Sequence, residues 1–164
     1  MTNLTPQIAI WKTVKIGVYK NLGTVTTVLS KFGQSDCVKV ILGKQAFTLA
    51  QVEEDIDLAV ATVKELTGMD RATTEEVFNA IKRVGDLVPA EVGPALREQY
   101  LDQPNGEFLR IAMEPIEDSG NLYLFYVDCF GSGPCLVADY VYPGDLWRDG
   151  HRFVFRPRKV SSVV

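Results

Sequence analysis

Asn121-Leu122-Tyr123-Leu124-Phe125-Tyr126-Val127-Asp128 sets the fold, because six consecutive aromatic or aliphatic residues lie between two polar ends. A run this short and this rich in aromatic side chains reads as a strand that is apolar on both faces and therefore central in its sheet. Turn residues flank it, Asp118-Ser119-Gly120 before and Gly131-Ser132-Gly133 after. Beyond those turns, residues 107–113 and 134–141 again carry the texture of strands. Connections of a few residues join antiparallel neighbours, so the three segments form a β-meander. A fourth strand, 152–157, follows the longer loop 143–151.

Upstream of this block the patterning turns mixed. Val14, Ile16 and Val18 alternate with Lys15, Gly17 and Tyr19, which makes 12–19 a half-buried strand. Val25, Val28, Leu29 and Phe32 fall on one helical face over 24–32, with Gly33 placed to stop the helix at φ > 0. Ser35 as N-cap and Gly43 as stop favour a short helix over 36–42, against the strand preference of Val38, Val40 and Ile41. Residues 52–66 carry both periods, Ile56, Leu58, Val60 and Thr62 at spacing two and Ile56, Ala59, Val60 and Val63 at helical spacing.

Thr73 and Glu76 form a capping-box pattern, and Val77, Ala80, Ile81 and Val84 line one face, so 74–84 is a helix ended by Gly85. A second helix is expected from Pro94 to Tyr100 or Leu101, because the residue before a proline avoids the α region. The fold class expected is therefore α+β: an N-terminal strand and two to four short helices packed on a mainly antiparallel sheet with a C-terminal β-meander.

Composition bounds the remaining possibilities. A chain of 164 residues with 46% hydrophobic and 23% charged residues fits one domain over 1–164, with tails expected at 1–10 and 160–164. No apolar run is long enough to span a bilayer and the first residues lack a signal-peptide pattern, which makes the cytoplasm the expected compartment and a membrane partner unexpected. Cys37, Cys129 and Cys135 are odd in number and read as free thiols, with Cys129 and Cys135 facing each other across a hairpin. The net charge of −4 disfavours a broad nucleic-acid surface.

The segment Pro89-Ala90-Glu91-Val92-Gly93-Pro94-Ala95-Leu96-Arg97-Glu98-Gln99-Tyr100 continues into Asp102-Gln103-Pro104, Gly106-Glu107 and Ile111-Ala112-Met113-Glu114-Pro115-Ile116. This string resembles a family of small uncharacterised bacterial proteins, in which a similar core lies between a Trp-Lys-Thr strand, here Trp11-Lys12-Thr13, and a Phe-rich last strand, here Phe153 and Phe155. The resemblance covers roughly residues 10–157 and implies no activity. It favours a strand over 55–63, and it departs from the family where Val88 stands for a cysteine and Phe108 for a tryptophan, so a cysteine nucleophile before the Pro-Ala-Glu segment is absent.

Polar residues are densest at Glu91, Arg97, Gln99, Tyr100, Asp102, Gln103 and Glu107, around a helix end and a loop. Carboxylate, guanidinium and amide groups converging there would grip a small polar ligand or a protein partner. The structural alternative is a buried tie between helix and sheet. Paired carboxylates among Glu91, Asp102, Glu107 and Glu114 would suit a hydrolytic enzyme or toxin-like effector, although the spacing fixes no distance between them.

His151 stands alone without a second histidine or a Cys pair, so neither metal nor cofactor is expected, while a dyad with Cys129 or Cys135 remains formally open. Glycine-rich phosphate loops are absent. The order helix 74–84, helix 94–100 and hairpin 107–128 also matches a winged helix–turn–helix, which would need more basic residues than Arg97 and Arg110 provide. The segment 151–159 interleaves arginines with Phe153 and Phe155, which alternation assigns to the core, with Val154 outward on a protected edge strand. Trp147, Tyr140 and Tyr142 form a further aromatic group near a turn. A binding domain for a polar ligand ranks first among these readings, the winged helix second and the hydrolase third.

Overall fold

Residues 8–158 are described by the computed structural model, and their local boundaries follow from a few side-chain and glycine effects. Strand β1 (Lys12–Ile16) ends three residues sooner than the alternation predicts. Gly17 stops it, having φ of 79° and no room for a Cβ, which would lie 2.2 Å from the Val52 carbonyl oxygen. Helix α1 (Leu22–Leu29) starts where the Asn21 side chain accepts the Thr24 amide. Gly33 is not its left-handed stop: it belongs to strand β2 (Gly33–Gln34), where a Cβ would sit 2.5 Å from the Cys135 sulfur. Close approach, and not positive φ, requires that glycine. Helix α2 (Asp36–Leu42) buries Val38, Ile41 and Leu42.

The doubly periodic stretch is two elements in succession. Strand β3 (Glu54–Thr62) buries Ile56 and Leu58, and helix α3 (Val63–Thr67) begins directly from it. Thr62 and Glu65 form a reciprocal capping box at that junction, so one residue ends the strand and caps the helix. Strand β4 (Arg71–Thr73) passes in the same way into helix α4 (Thr74–Val84) through the Thr73–Glu76 box. Strand β5 (Gly85–Asp86) follows.

Helix α5 (Val92–Gln99) starts two residues before Pro94, against expectation. Pro94 is its third residue, where no intrahelical donor is needed, and Gly93 lacks the Cβ that a following proline would strike. The same missing Cβ admits Phe125, whose ring carbon would otherwise lie 2.7 Å away. The helices number five among the described residues, one more than the expected range allows.

Strands β6 (Phe108–Ile111), β7 (Ile116–Asp118), β8 (Asn121–Phe130), β9 (Gly133–Tyr140), β10 (Leu146–Arg148) and β11 (Arg152–Pro157) complete the chain. The main sheet runs β1-β3-β11-β6-β8-β9-β2, with β5 on β11 and β7 on β8, while β10 pairs with β4 apart from it. As expected, β8 is interior, with β9 on one side and β6 and then β7 on the other.

The last strand departs from the expected meander. It crosses to lie between β3 and β6, antiparallel to the first and parallel to the second, so the sheet is mixed. It is not an edge strand, and Val154 is as fully buried as Phe153 and Phe155. Both faces are covered there: Phe125 meets Gly93 of α5 on one, and Phe153 meets Phe78 of α4 on the other. The register Phe153–Arg110–Tyr126 places Phe153 opposite to the α5 side. The expected tails fall mostly outside the described residues, although Ile8 packs on the core.

Candidate functional site

Position in α5 decides what the densest polar segment does. Arg97 is fully buried, and its guanidinium donates to the Tyr100 carbonyl at 2.6 Å, Gln103 Oε1 at 2.7 Å, and the carbonyls of Asp128 and Cys135 at 3.1 and 3.2 Å. Only Nε is left without a partner, and burial pulls the group below its ordinary pKa. Gln103 in turn donates to the Val127 carbonyl at 3.3 Å, and the Tyr100 hydroxyl donates to Glu107 Oε1 at 2.8 Å. Burial and that bond raise the Tyr100 pKa well above the usual phenol. Arg97, Tyr100, Gln103 and Glu107 are thus one network, and it fastens the end of α5 to β6, β8 and β9.

The other expected site residues stand apart from it. Glu91 is buried and accepts the amides of Gly17 and Ala50 at 3.2 and 3.1 Å, tying two loops to the start of α5. Gln99 pairs its amide with both the N–H and the C=O of Lys15, each at 2.9 Å. A side chain there imitates a neighbouring strand and blocks the outer edge of β1. Asp102 is exposed, and Glu114 lines a different cleft, so the candidate carboxylates are not gathered into an acid–base pair.

Glu107 is where the closed network meets solvent. Its second oxygen lies 3.9 Å from Arg152, beside Trp11, Thr62 and Leu109 on the α5 side of the sheet. The opposite side of the same sheet end holds a cleft of about 440 Å³ that Arg110, His151, Phe108 and Phe130 line. Arg110 sits in it with its guanidinium 4.3 Å from the Phe108 ring centre and 4.4 Å from that of Trp147. Phe108 lies against Tyr126 with ring centres 4.2 Å apart and planes tilted by 36°, which continues the ladder across the sheet. Two aromatic rings hold the cation in place, and among the described residues no carboxylate lies within ion-pair reach of it. Burial pulls its pKa down to about 10, so it stays charged at neutral pH.

His151 responds to the same field. Its Nδ1 accepts the Arg148 amide at 2.9 Å, which assigns the ring proton to Nε2. Burial first, and then the charges of Arg110 and Arg148, hold its pKa below the ordinary histidine value. The cleft therefore presents the Arg110 guanidinium and a neutral imidazole donor. Such an arrangement suits an oxyanion.

Sequence reasoning placed none of Arg110, Phe130, His151 or Arg152 in the ligand set. Part of the signal was present, since Phe108 and Arg110 share a face at spacing two and Phe130 lies two residues beyond Asp128, the partner of Phe108. The rest depends on β11 lying beside β6, which brings His151 to the same mouth.

The structure bears on several other expectations. Asp128 pairs with Cys135 and Cys129 with Pro134, so the two thiols point to opposite faces of the hairpin and do not confront each other. Burial and Asp128 raise the Cys135 pKa, which works against a thiolate nucleophile. No cluster of potential metal ligands occurs among the described residues. Helix α5 is buried from Val92 to Arg97 and has no face to lay in a DNA groove. Trp147 donates its indole N–H to Thr74 at 2.7 Å and covers Arg110, leaving Tyr140 and Tyr142 as a separate stacked pair.

No family model, curated protein or solved structure matches the chain.

Proposed function

We propose that this protein is a small binding domain that takes an anionic polar molecule into the cleft between the start of β6, the end of β8 and the loop before β11. The observation that supports this reading is Arg110, a half-buried cation clamped between Phe108 and Trp147 with no carboxylate in ion-pair contact among the described residues. Partial burial of an unpaired charge is unfavourable until a counter-charge arrives, so the site favours an oxyanion before any is bound. The Nε2–H of His151 supplies a further donor on the same wall. Of the seven residues first expected to hold a ligand, Glu91, Arg97, Gln99, Tyr100, Gln103 and Glu107 then act as support, and Asp102 is exposed.

The setting that goes with this reading is a reducing cytoplasm, consistent with three free cysteines, in a bacterial cell as the string at 89–116 suggests. No helix among the described residues is long and apolar enough to cross a membrane.

Calorimetric titration with inorganic pyrophosphate tests the proposal. Saturable binding that weakens with added salt is expected for the unmodified protein, together with its loss in Arg110→Met, a variant that keeps the side-chain volume between the two rings. Equal binding by both proteins, or none by either, overturns it.

A further inference from the structure

The α5 side of the sheet holds a second, smaller cleft. Its volume is about 290 Å³, and Trp11, Thr62, Glu65, Glu107, Leu109 and Arg152 line it. Strand register gathers these residues: Arg152 stands opposite Thr62, and Leu109 shares its face with Glu107 two positions earlier. Their side chains point away from Arg110, because Leu109 and Arg110 are successive residues of one strand.

The polar groups here are held in position and keep unused capacity. One Glu107 oxygen accepts the Tyr100 hydroxyl at 2.8 Å, so the closed network behind it orients the carboxylate. The other oxygen is 3.9 Å from the Arg152 guanidinium, a separation at which neither group satisfies the other. Glu65 Oε1 accepts the Thr62 amide and Thr62 Oγ1 accepts the Glu65 amide, each at 3.1 Å. The second Glu65 oxygen and the Thr62 hydroxyl proton are left over.

Trp11 supplies the aromatic wall. It is 36% exposed and meets Tyr100 edge to face, with ring centres 5.1 Å apart. Lys12 already carries its ammonium over these rings, 4.8 Å from the centre of Tyr100 and 5.7 Å from that of Trp11. A cationic ligand would meet Lys12 and Arg152, and an anionic one would meet Glu65 and Glu107. A neutral polyol suits both signs of neighbour, since each hydroxyl donates and accepts, while the C–H face of a sugar ring packs on an aromatic side chain. The volume lies at the lower edge of the usual range for small-molecule sites, which fits one ring.

We infer that this cleft binds a single neutral pyranose, with its C–H face on Trp11, one hydroxyl donating to Glu107 and a neighbouring hydroxyl accepting from Arg152. A vicinal diol thereby closes the gap that the two charged groups leave between them. This inference stands independently of the anion-binding reading.

Saturation-transfer NMR with the methyl pyranosides of glucose, galactose and mannose, followed by calorimetric titration of the strongest, is the test. At least one pyranoside should bind, and Arg152→Met should weaken it roughly ten-fold or more, the scale of a hydrogen bond to a charged group. Arg152 is half exposed, so this variant should keep its urea midpoint, which separates lost binding from lost folding. Trp11→Ala should abolish binding and Trp11→Phe should restore part of it. Arg110→Met should bind the sugar as the unmodified protein does.

Failure of all three pyranosides overturns the inference. Binding that survives both Arg152→Met and Trp11→Ala, or that disappears in Arg110→Met, also overturns it, because the sugar would then lie elsewhere. Choline that binds more tightly than every pyranoside and is lost in Trp11→Ala makes the cleft a cation site instead. Pyrophosphate that fails to bind while a pyranoside behaves as expected overturns the anion reading and leaves this one standing.

Discussion

Arg97 and Arg110 are both withdrawn from bulk water against β8 or its neighbour β6, and they have opposite surroundings. Arg97 is enclosed by four oxygen acceptors and exposes nothing. Arg110 has two aromatic rings against it and no carboxylate partner among the described residues, with a cleft in front of it. A guanidinium whose donors are used internally is a structural clamp, since removing it strands its acceptors. One that is fixed by rings but left without a counter-ion holds its charge ready for something that arrives. Density of polar residues in the sequence points to the first arginine; unpaired charge in the structure points to the second.

The contrast is broken most severely at Arg97. Arg97→Met should lower stability by about 3–5 kcal/mol in urea unfolding, because buried carbonyl and amide oxygens lose their charged donor together. Lysine should not rescue it, having no planar fork to reach partners on both sides. Gly93→Ala should cost about 1–3 kcal/mol by the same measurement, since the new Cβ would stand 2.7–3.0 Å from three carbons of Phe125. That variant perturbs the clamp from the helix side and leaves Arg110 untouched.

Arg110→Met should change stability by less than about 1 kcal/mol in either direction, as loss of the stacked cation offsets relief from an unpaired charge. The smallest effect concerns pH. His151 has a folded pKa below its unfolded value near 6.5, so the unfolded chain takes up a proton first on acidification. Its contribution is fully present above the unfolded value and is lost as pH falls below it. His151→Asn, which keeps an acceptor for the Arg148 amide, should flatten the unfolding midpoint over that window.

The fold was legible wherever one local rule decided an element. The apolar run at 121–128 gave the interior strand, and the Thr73–Glu76 box gave α4. Residues 52–66 resisted because two elements share the stretch, with Thr62 ending one and capping the other. The position of β11 was not legible, since the loop before it specifies no sheet partner and insertion between β3 and β6 is decided by burial on both faces. The site was missed for the same reason. Arg110 and His151 are 41 positions apart, and only the parallel pairing of β6 with β11 brings them to one mouth.

His151 is the sole histidine of the chain and a neighbour of Arg110, which makes it a reporter for the cleft. Its pKa followed by NMR, with and without saturating pyrophosphate, reads directly whether an anion settles there. A rise toward or above the ordinary histidine value on adding pyrophosphate, absent in Arg110→Met, is the predicted result. A pKa that stays where it was in the unmodified protein while pyrophosphate binds would place the anion elsewhere and contradict the account.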